Sequence, residues 1–174
     1  MANALEIDEK IKIDLIQSDI VVCEADAIVT TNNATLQDDQ GLTQSLFSQG
    51  GNVAQKECEE WIKVLDPSLD GKIPVGGCAV TSAGSLKAKY IIHSRGPKYD
   101  DLPDEDENKT RTMKNSMRMA MYTSLDTALR LKCETLALSP ISGEHYKFPA
   151  ELQAKYMISN IIEWASVADA GQLK

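Results

Sequence analysis

Apolar residues along this chain fall into short β-branched runs separated by longer stretches in which they recur every three or four positions. The run Ala27, Ile28, Val29 is too short and too β-branched for a helix and reads as a strand buried on both faces, at the centre of a sheet. Further strands are predicted near Ile11 to Ile16, at Cys78 to Ser82, at Tyr90 to His93 and at Thr135 to Ser139, with the turn-prone AGSLKAK between the second and third of these. Helices are predicted from Leu42 to Leu65 with a break at Gly50-Gly51, from about Lys109 onward, and from Ala150 to Ala165 behind Pro149. In the helix beginning near Lys109, Met113, Met117, Ala120, Met121, Leu125, Ala128 and Leu129 advance by one-face spacing, so its methionines belong to the core. Strands alternating with helices predict one α/β domain over 1–174, with a largely parallel sheet covered on both faces.

Composition narrows the classes. A chain of 174 residues with 43% hydrophobic content can bury roughly 70% of its unfolded surface without staples. Cys23, Cys58, Cys78 and Cys133 show no paired short spacing, which predicts reduced, buried thiols, no metal site, and a cytoplasmic or nuclear location. No apolar stretch approaches the roughly 20 residues of a membrane span, and MANALEIDEK lacks the order of a signal peptide, so a soluble chain without a membrane partner is expected. A net charge of −8 argues against general nucleic-acid binding. Lys109, Arg111, Lys114 and Arg118 read as a solvated helix face, and the acidic stretch from Asp100 to Glu107 sits favourably before that helix's positive end.

Thr30, Thr31, Asn32 and Asn33 follow the central strand, where open α/β sheets bind ligands. Thr and Asn clusters also make turns and cap helices, so these residues alone leave both roles open. A longer series decides more. Asp19-Ile20, DAIV at Asp26 to Val29, Asn33, GGCAVT at Gly76 to Thr81, YIIH at Tyr90 to His93, Gly96-Pro97, and Ser142-Gly143 through Phe148-Pro149 resemble the macro domain family in order and spacing, over Ile11 to about Trp164. The segment NATLQDDQGLTQSLF looks most like the macro domain of ganglioside-induced differentiation-associated proteins. The resemblance implies a three-layer α/β/α fold with a mixed, mostly parallel sheet of about six strands. The family's final strand is missing from this chain, and with it the aromatic that often flanks adenine.

The resemblance also implies a site. Asp19 matches the aspartate that accepts from the adenine amino group, and Ile20 would present its backbone; the alternative for Asp19 is a turn or cap. Asn33 matches the asparagine that holds the distal ribose and, in hydrolytic members, orients the scissile sugar; it is the catalytic candidate if there is one. Asn32 and Thr31 replace the small residues usual before it, a change expected to crowd or re-aim the pocket floor. Where the family has consecutive glycines beside a diphosphate, this chain has Asp38, Asp39, Gln40 and Gly41, and only Gly41 keeps the bare backbone. An aspartate about 4 Å from a phosphate oxygen costs on the order of 4 kcal/mol near a protein surface. That is roughly a thousandfold in affinity if the side chains cannot turn away.

Ser142 and Gly143 match the second phosphate loop as amide donors, Glu144 adds repulsion, His145 with Lys147 offsets it, and Tyr146 matches the aromatic over the distal ribose. Thr43 stands where hydrolytic members commonly carry an aspartate; it is a poor general base and reads as a helix cap. Ser142 and His145 lack an elbow and an orienting acid, so they are not read as nucleophile and base, and His93 reads as a satisfied core histidine. Three functions follow: capture of ADP-ribose or a related adenine nucleotide, with an ADP-ribosylated protein as a further partner and no other cofactor; a scaffold on the same fold; and hydrolysis of ADP-ribose derivatives. Capture is the leading expectation.

Overall fold

The computed structural model of the chain describes residues 3–7, 11–37, 40–99, 107–143 and 146–168, with side chains described for all of these except 3–7 and 107–109. The strands are β1 (Asn3–Ile7), β2 (Ile11–Leu15), β3 (Ala27–Thr31), β4 (Cys78–Ser82), β5 (Tyr90–Ser94) and β6 (Leu136–Leu138). The helices are α1 (Gly41–Gly50), α2 (Val53–Val64), α3 (Glu107–Arg130) and α4 (Ala150–Val167). Every element predicted from the apolar pattern is present; β1 was not anticipated, its five residues carrying too little alternation to signal a strand.

The strands form two sheets rather than one of about six. A mixed four-stranded sheet runs β4-β5-β3-β6, and β1 pairs with β2 in a separate antiparallel ribbon. β3 lies parallel to β5 and to β6, and β4 is antiparallel to β5. β6 pairs with β3 on one side, and no described strand pairs its other side.

Side-chain alternation in β3 builds the three layers. Ala27 and Val29 point to α3 and α4, joining Met113, Met117, Met121, Leu125 and Trp164, while Ile28 points to α1 and α2 beside Leu46, Phe47, Ala54 and Cys58. β5 divides the same way, with Ile92 in the first cluster and Ile91 in the second. With both faces covered, β3 is buried almost throughout, as a continuous β-branched run requires. The four cysteines are free; Cys58 and Cys133 are buried as expected, whereas Cys23 and Cys78 are only half-buried.

Two polar devices finish the sheet. β4 is an edge, and α2 covers it: Glu57 accepts from the Ser82 N–H and hydroxyl, each at 2.6 Å, and the Trp61 indole N–H donates to the Val80 carbonyl at 2.6 Å. An edge so occupied cannot template another strand. At the end of the sheet where β3, β5 and β6 begin, Asp26 ties all three. Its carboxylate meets the Lys89 ammonium at 2.7 Å before β5, and accepts from the Glu134 and Thr135 N–H groups, at 2.8 and 3.2 Å, before β6.

The Lys89 ammonium, aided by the Glu134 N–H, lowers the Asp26 carboxyl from 3.8 to about 2. The fold therefore binds this proton less readily than the unfolded chain does, so the stabilisation is present above pH 3.8 and disappears as pH falls towards about 2. Asp26→Asn is expected to lose about 1–3 kcal/mol at neutral pH. Denaturant unfolding across a pH series checks this: the gap between variant and wild type should close in acid.

Candidate functional site

β3 ends at Thr31, and the chain then leaves the sheet to enter α1; β6 ends one residue before Ser139 and leads through a loop to α4. Two loops diverging from adjacent parallel strands leave a crevice at their carboxyl ends. A cavity of about 240 Å³ opens there, floored by Thr30 and Thr31, walled on one side by Gln40, Gly41, Leu42 and Thr43 and on the other by Ser139, Pro140, Gly143 and Tyr146. This volume is below the roughly 300–1,000 Å³ of sites that enclose a whole small molecule, so it suits part of a nucleotide.

The first wall is the start of a ten-residue helix. Gln40 precedes α1 without a side-chain cap, and the first backbone bond of the helix is from Gln44 to Gln40. The N–H groups of Gly41, Leu42 and Thr43 therefore have no acceptor within the helix, and the helix dipole adds positive potential at the same place. Gly41 has φ 55°, a left-handed conformation that a Cβ would strain, which accounts for the one glycine kept in this loop. On the second wall Gly143 lines the cavity and adds another bare backbone. None of the described lining residues is a carboxylate or an imidazole.

Both walls are fastened to Thr31. The Thr43 hydroxyl donates to the Thr31 carbonyl at 2.9 Å, and the Ser142 N–H donates to the Thr31 hydroxyl at 2.9 Å. Thr43 is therefore not the helix cap expected from sequence but a link between α1 and β3, and its proton is already engaged. Ser142 has φ 62°, is fully buried, and its hydroxyl meets no partner among the described residues. That hydroxyl lies over Gly96, where an added Cβ would come within 2.0 Å of it.

Below the floor lies a polar network. Asn32 is fully buried; its amide Nδ2 lies 3.2 Å from His93 Nδ1, and His93 Nε2 lies 2.9 Å from the Thr81 hydroxyl and 3.7 Å from Cys58 Sγ. Burial lowers the imidazole to about 3 and raises the Cys58 thiol to about 12, the latter with Glu57 and Glu59 contributing. His93 is thus the satisfied core histidine expected, neutral over the physiological range. Unfolding takes up a proton here below the ordinary 6.5, so stability from this group declines as pH falls from 6.5 towards about 3.

Of the residues predicted from sequence, Gly41, Gly143 and Tyr146 meet at the cavity. Asp19 is exposed away from the cavity lining and caps its own turn, accepting from the Val21 N–H at 3.1 Å, with Ile20 in that turn. Asn33 also stands beside rather than in the lining: its Oδ1 accepts from the Thr35 N–H, the Thr35 hydroxyl and the Gln37 N–H at 3.0–3.1 Å, which leaves only its Nδ2 donors for a ligand. The Ser142 amide is spent on Thr31. Asn32 does not crowd the pocket floor, because its side chain turns inward to His93. Asp38, Asp39, Glu144 and His145 lie outside the described residues. Sequence reasoning missed Leu42, Ser139 and Pro140 as lining; the strand-end rule applied at β3 would have found the last two at the end of β6.

A family model described as Macro domain matches residues 29–157. An uncharacterized protein of Saccharolobus solfataricus is 39% identical over 153 residues, covering 88% of this chain and 77% of that protein. Among solved structures, a mutant macrodomain of Oceanobacillus iheyensis with ADPR superposes with a TM-score of 0.85 at 22% identity, covering 98% of this chain and 87% of that one. The macro domain of ganglioside induced differentiation associated protein 2 gives 0.74 at 17%, covering 90% and 70%.

Gly96→Ala tests the packing of the two loops. Its Cβ would meet Ser142 Oγ at 2.0 Å and Ile141 Cγ2 at 2.7 Å. A loss of about 1–3 kcal/mol is expected in thermal or denaturant unfolding. Adding Ser142→Gly, which removes the nearer obstacle and the left-handed strain, should recover part of that loss.

Proposed function

The chain belongs to the macro domain family, and from that premise we propose that its cleft captures ADP-ribose or a related adenine nucleotide by its diphosphate. The observation that carries this reading is the first turn of α1, which receives no side-chain cap from Gln40, with three backbone N–H groups along a cavity at the carboxyl end of the central strand. Gly143 faces it across the cleft, and Tyr146 supplies an aromatic surface for the sugar beyond. The likeness to an Oceanobacillus macrodomain with ADPR, that is, ADP-ribose, supports the same ligand. Capture is favoured over turnover because the Thr43 proton is engaged and the described lining offers no general base.

Affinity is set by the acidic side chains that flank these amides in sequence: Asp38 and Asp39 precede Gln40, and Glu144 follows Gly143. They repel a diphosphate where glycine would be neutral, so weak binding is expected. Calorimetry with free ADP-ribose tests the reading: measurable heat is expected, and no heat together with no thermal shift at millimolar ligand defeats it. Replacing Asp38, Asp39 and Glu144 by glycine should tighten binding roughly tenfold or more, and unchanged affinity would count against the electrostatic account.

Asn33→Asp separates two roles. Aspartate keeps the acceptor that the 33–37 turn needs and removes the Nδ2 donors. The variant should fold with unaltered melting temperature but bind ADP-ribose more weakly; equal affinity would show that Asn33 serves the turn alone.

A further inference from the structure

We propose that Asn32 is a positioning residue that joins the buried His93 imidazole to the Asn33 turn beside the cleft and to Tyr146 on its second wall, so that the turn and Tyr146 are held as one unit. The inference rests on the reading of this cleft as a ligand site, and it adds a residue that stands wholly outside the lining.

Asn32 is fully buried, and each of its polar groups has a directed partner. Its backbone N–H donates to the Ser94 carbonyl at 3.0 Å. Its side-chain Oδ1 accepts from the Asn33 N–H at 2.8 Å, its Nδ2 meets His93 Nδ1 at 3.2 Å, and its carbonyl accepts from the Tyr146 hydroxyl at 3.0 Å. A backbone N–H can only donate, so the amide oxygen must face Asn33 and the NH₂ must face the ring. An NH₂ facing Nδ1 requires that nitrogen to be unprotonated. The ring proton therefore sits on Nε2, where the Thr81 hydroxyl lies at 2.9 Å to accept it.

One peptide N–H at the rim thus dictates the tautomer of a histidine in the core, and the rigid ring in turn holds the peptide. Phe47 packs against that ring with centroids 5.8 Å apart, and Thr81 fixes its far nitrogen, so the imidazole has no freedom to relax. A small apolar residue here would leave the Asn33 N–H and His93 Nδ1 without these partners, the latter in a place solvent does not reach. With its hydroxyl directed to the Asn32 carbonyl, Tyr146 offers its ring to the cavity.

The test uses the ¹⁵N-labelled, ligand-free chain and three variants, read by the imidazole nitrogen shifts of His93 and by amide hydrogen exchange. In the wild type His93 should be the Nε2–H tautomer. Asn32→Asp keeps the acceptor for Asn33 but sets a carboxylate against Nδ1, so the proton should move to Nδ1 while the Asn33 amide stays protected. Asn32→Leu should speed Asn33 exchange by roughly tenfold, the effect of losing one hydrogen bond of ordinary net strength, with the Ala27–Val29 amides unchanged. Tyr146→Phe should leave the tautomer alone and loosen only the 146–148 segment. His93 remaining Nε2–H in Asn32→Asp, or Asn33 exchange in Asn32→Leu rising no more than that of β3, overturns the proposal. If Asn32→Leu does not fold, the aspartate and phenylalanine variants still decide it. An ADP-ribose titration of the same proteins separates the two readings: where the wild type binds, Asn32→Leu should weaken it, and where the wild type does not, the tautomer and exchange results stand by themselves.

Discussion

Thr31, the last residue of the central strand, receives one hydrogen bond from each wall of the cleft: the Thr43 hydroxyl reaches its carbonyl and the Ser142 amide reaches its hydroxyl. The second wall is held further by the Ser139 hydroxyl on the Val29 carbonyl and the Tyr146 hydroxyl on the Asn32 carbonyl, each at 3.0 Å. β3 itself cannot shift, because it is paired on both sides and buried on both faces between α1–α2 and α3–α4. The width of the cleft is therefore inherited from the central strand, with Thr31 the residue that both walls share. Everything offered to a ligand, from the first turn of α1 to Gly143, is placed by that inheritance.

The charge on the chain sets a second condition. Backbone amides and a helix dipole invite an anion, while a net charge of −8 and the acidic residues next to the cleft in sequence discourage it. The two effects differ in range. The amides act at contact, whereas the net charge acts over several ångströms and is screened by salt. Capture of a diphosphate here is a balance between near attraction and distant repulsion.

The apolar pattern made the layers legible before any geometry was known, because β3 and the α3 stripe announce burial by residue type and spacing alone. Ala27, Ile28 and Val29 could hardly be anything but a central strand, and Met113 through Ala128 face the core as the spacing requires. β1 was not legible, since its five residues carry little periodic signal. The splitting of the sheet is a question of pairing, which side-chain type does not encode. At the site the sequence located the crevice and all of its lining residues but Leu42, Ser139 and Pro140, yet misjudged how polar groups would be spent. Asn33, Asp19 and Ser142 all have acceptors or donors that a ligand could use, and each is drawn into a local turn or a neighbouring strand. Short polar side chains satisfy nearby backbone first, and only coordinates show which of them have anything left.

Cys58 stands beside His93, a pairing that on paper resembles the activated thiolate of a cysteine hydrolase. Desolvation keeps both partners uncharged, the thiol pushed up to about 12 and the imidazole down to about 3, so no thiolate–imidazolium ion pair forms. Peroxide and alkylating reagents attack the thiolate, and this sulfur presents none. Burial thus disfavours the reactive form of this sulfur, and oxidative ageing would begin at the less sheltered Cys23 and Cys78 instead.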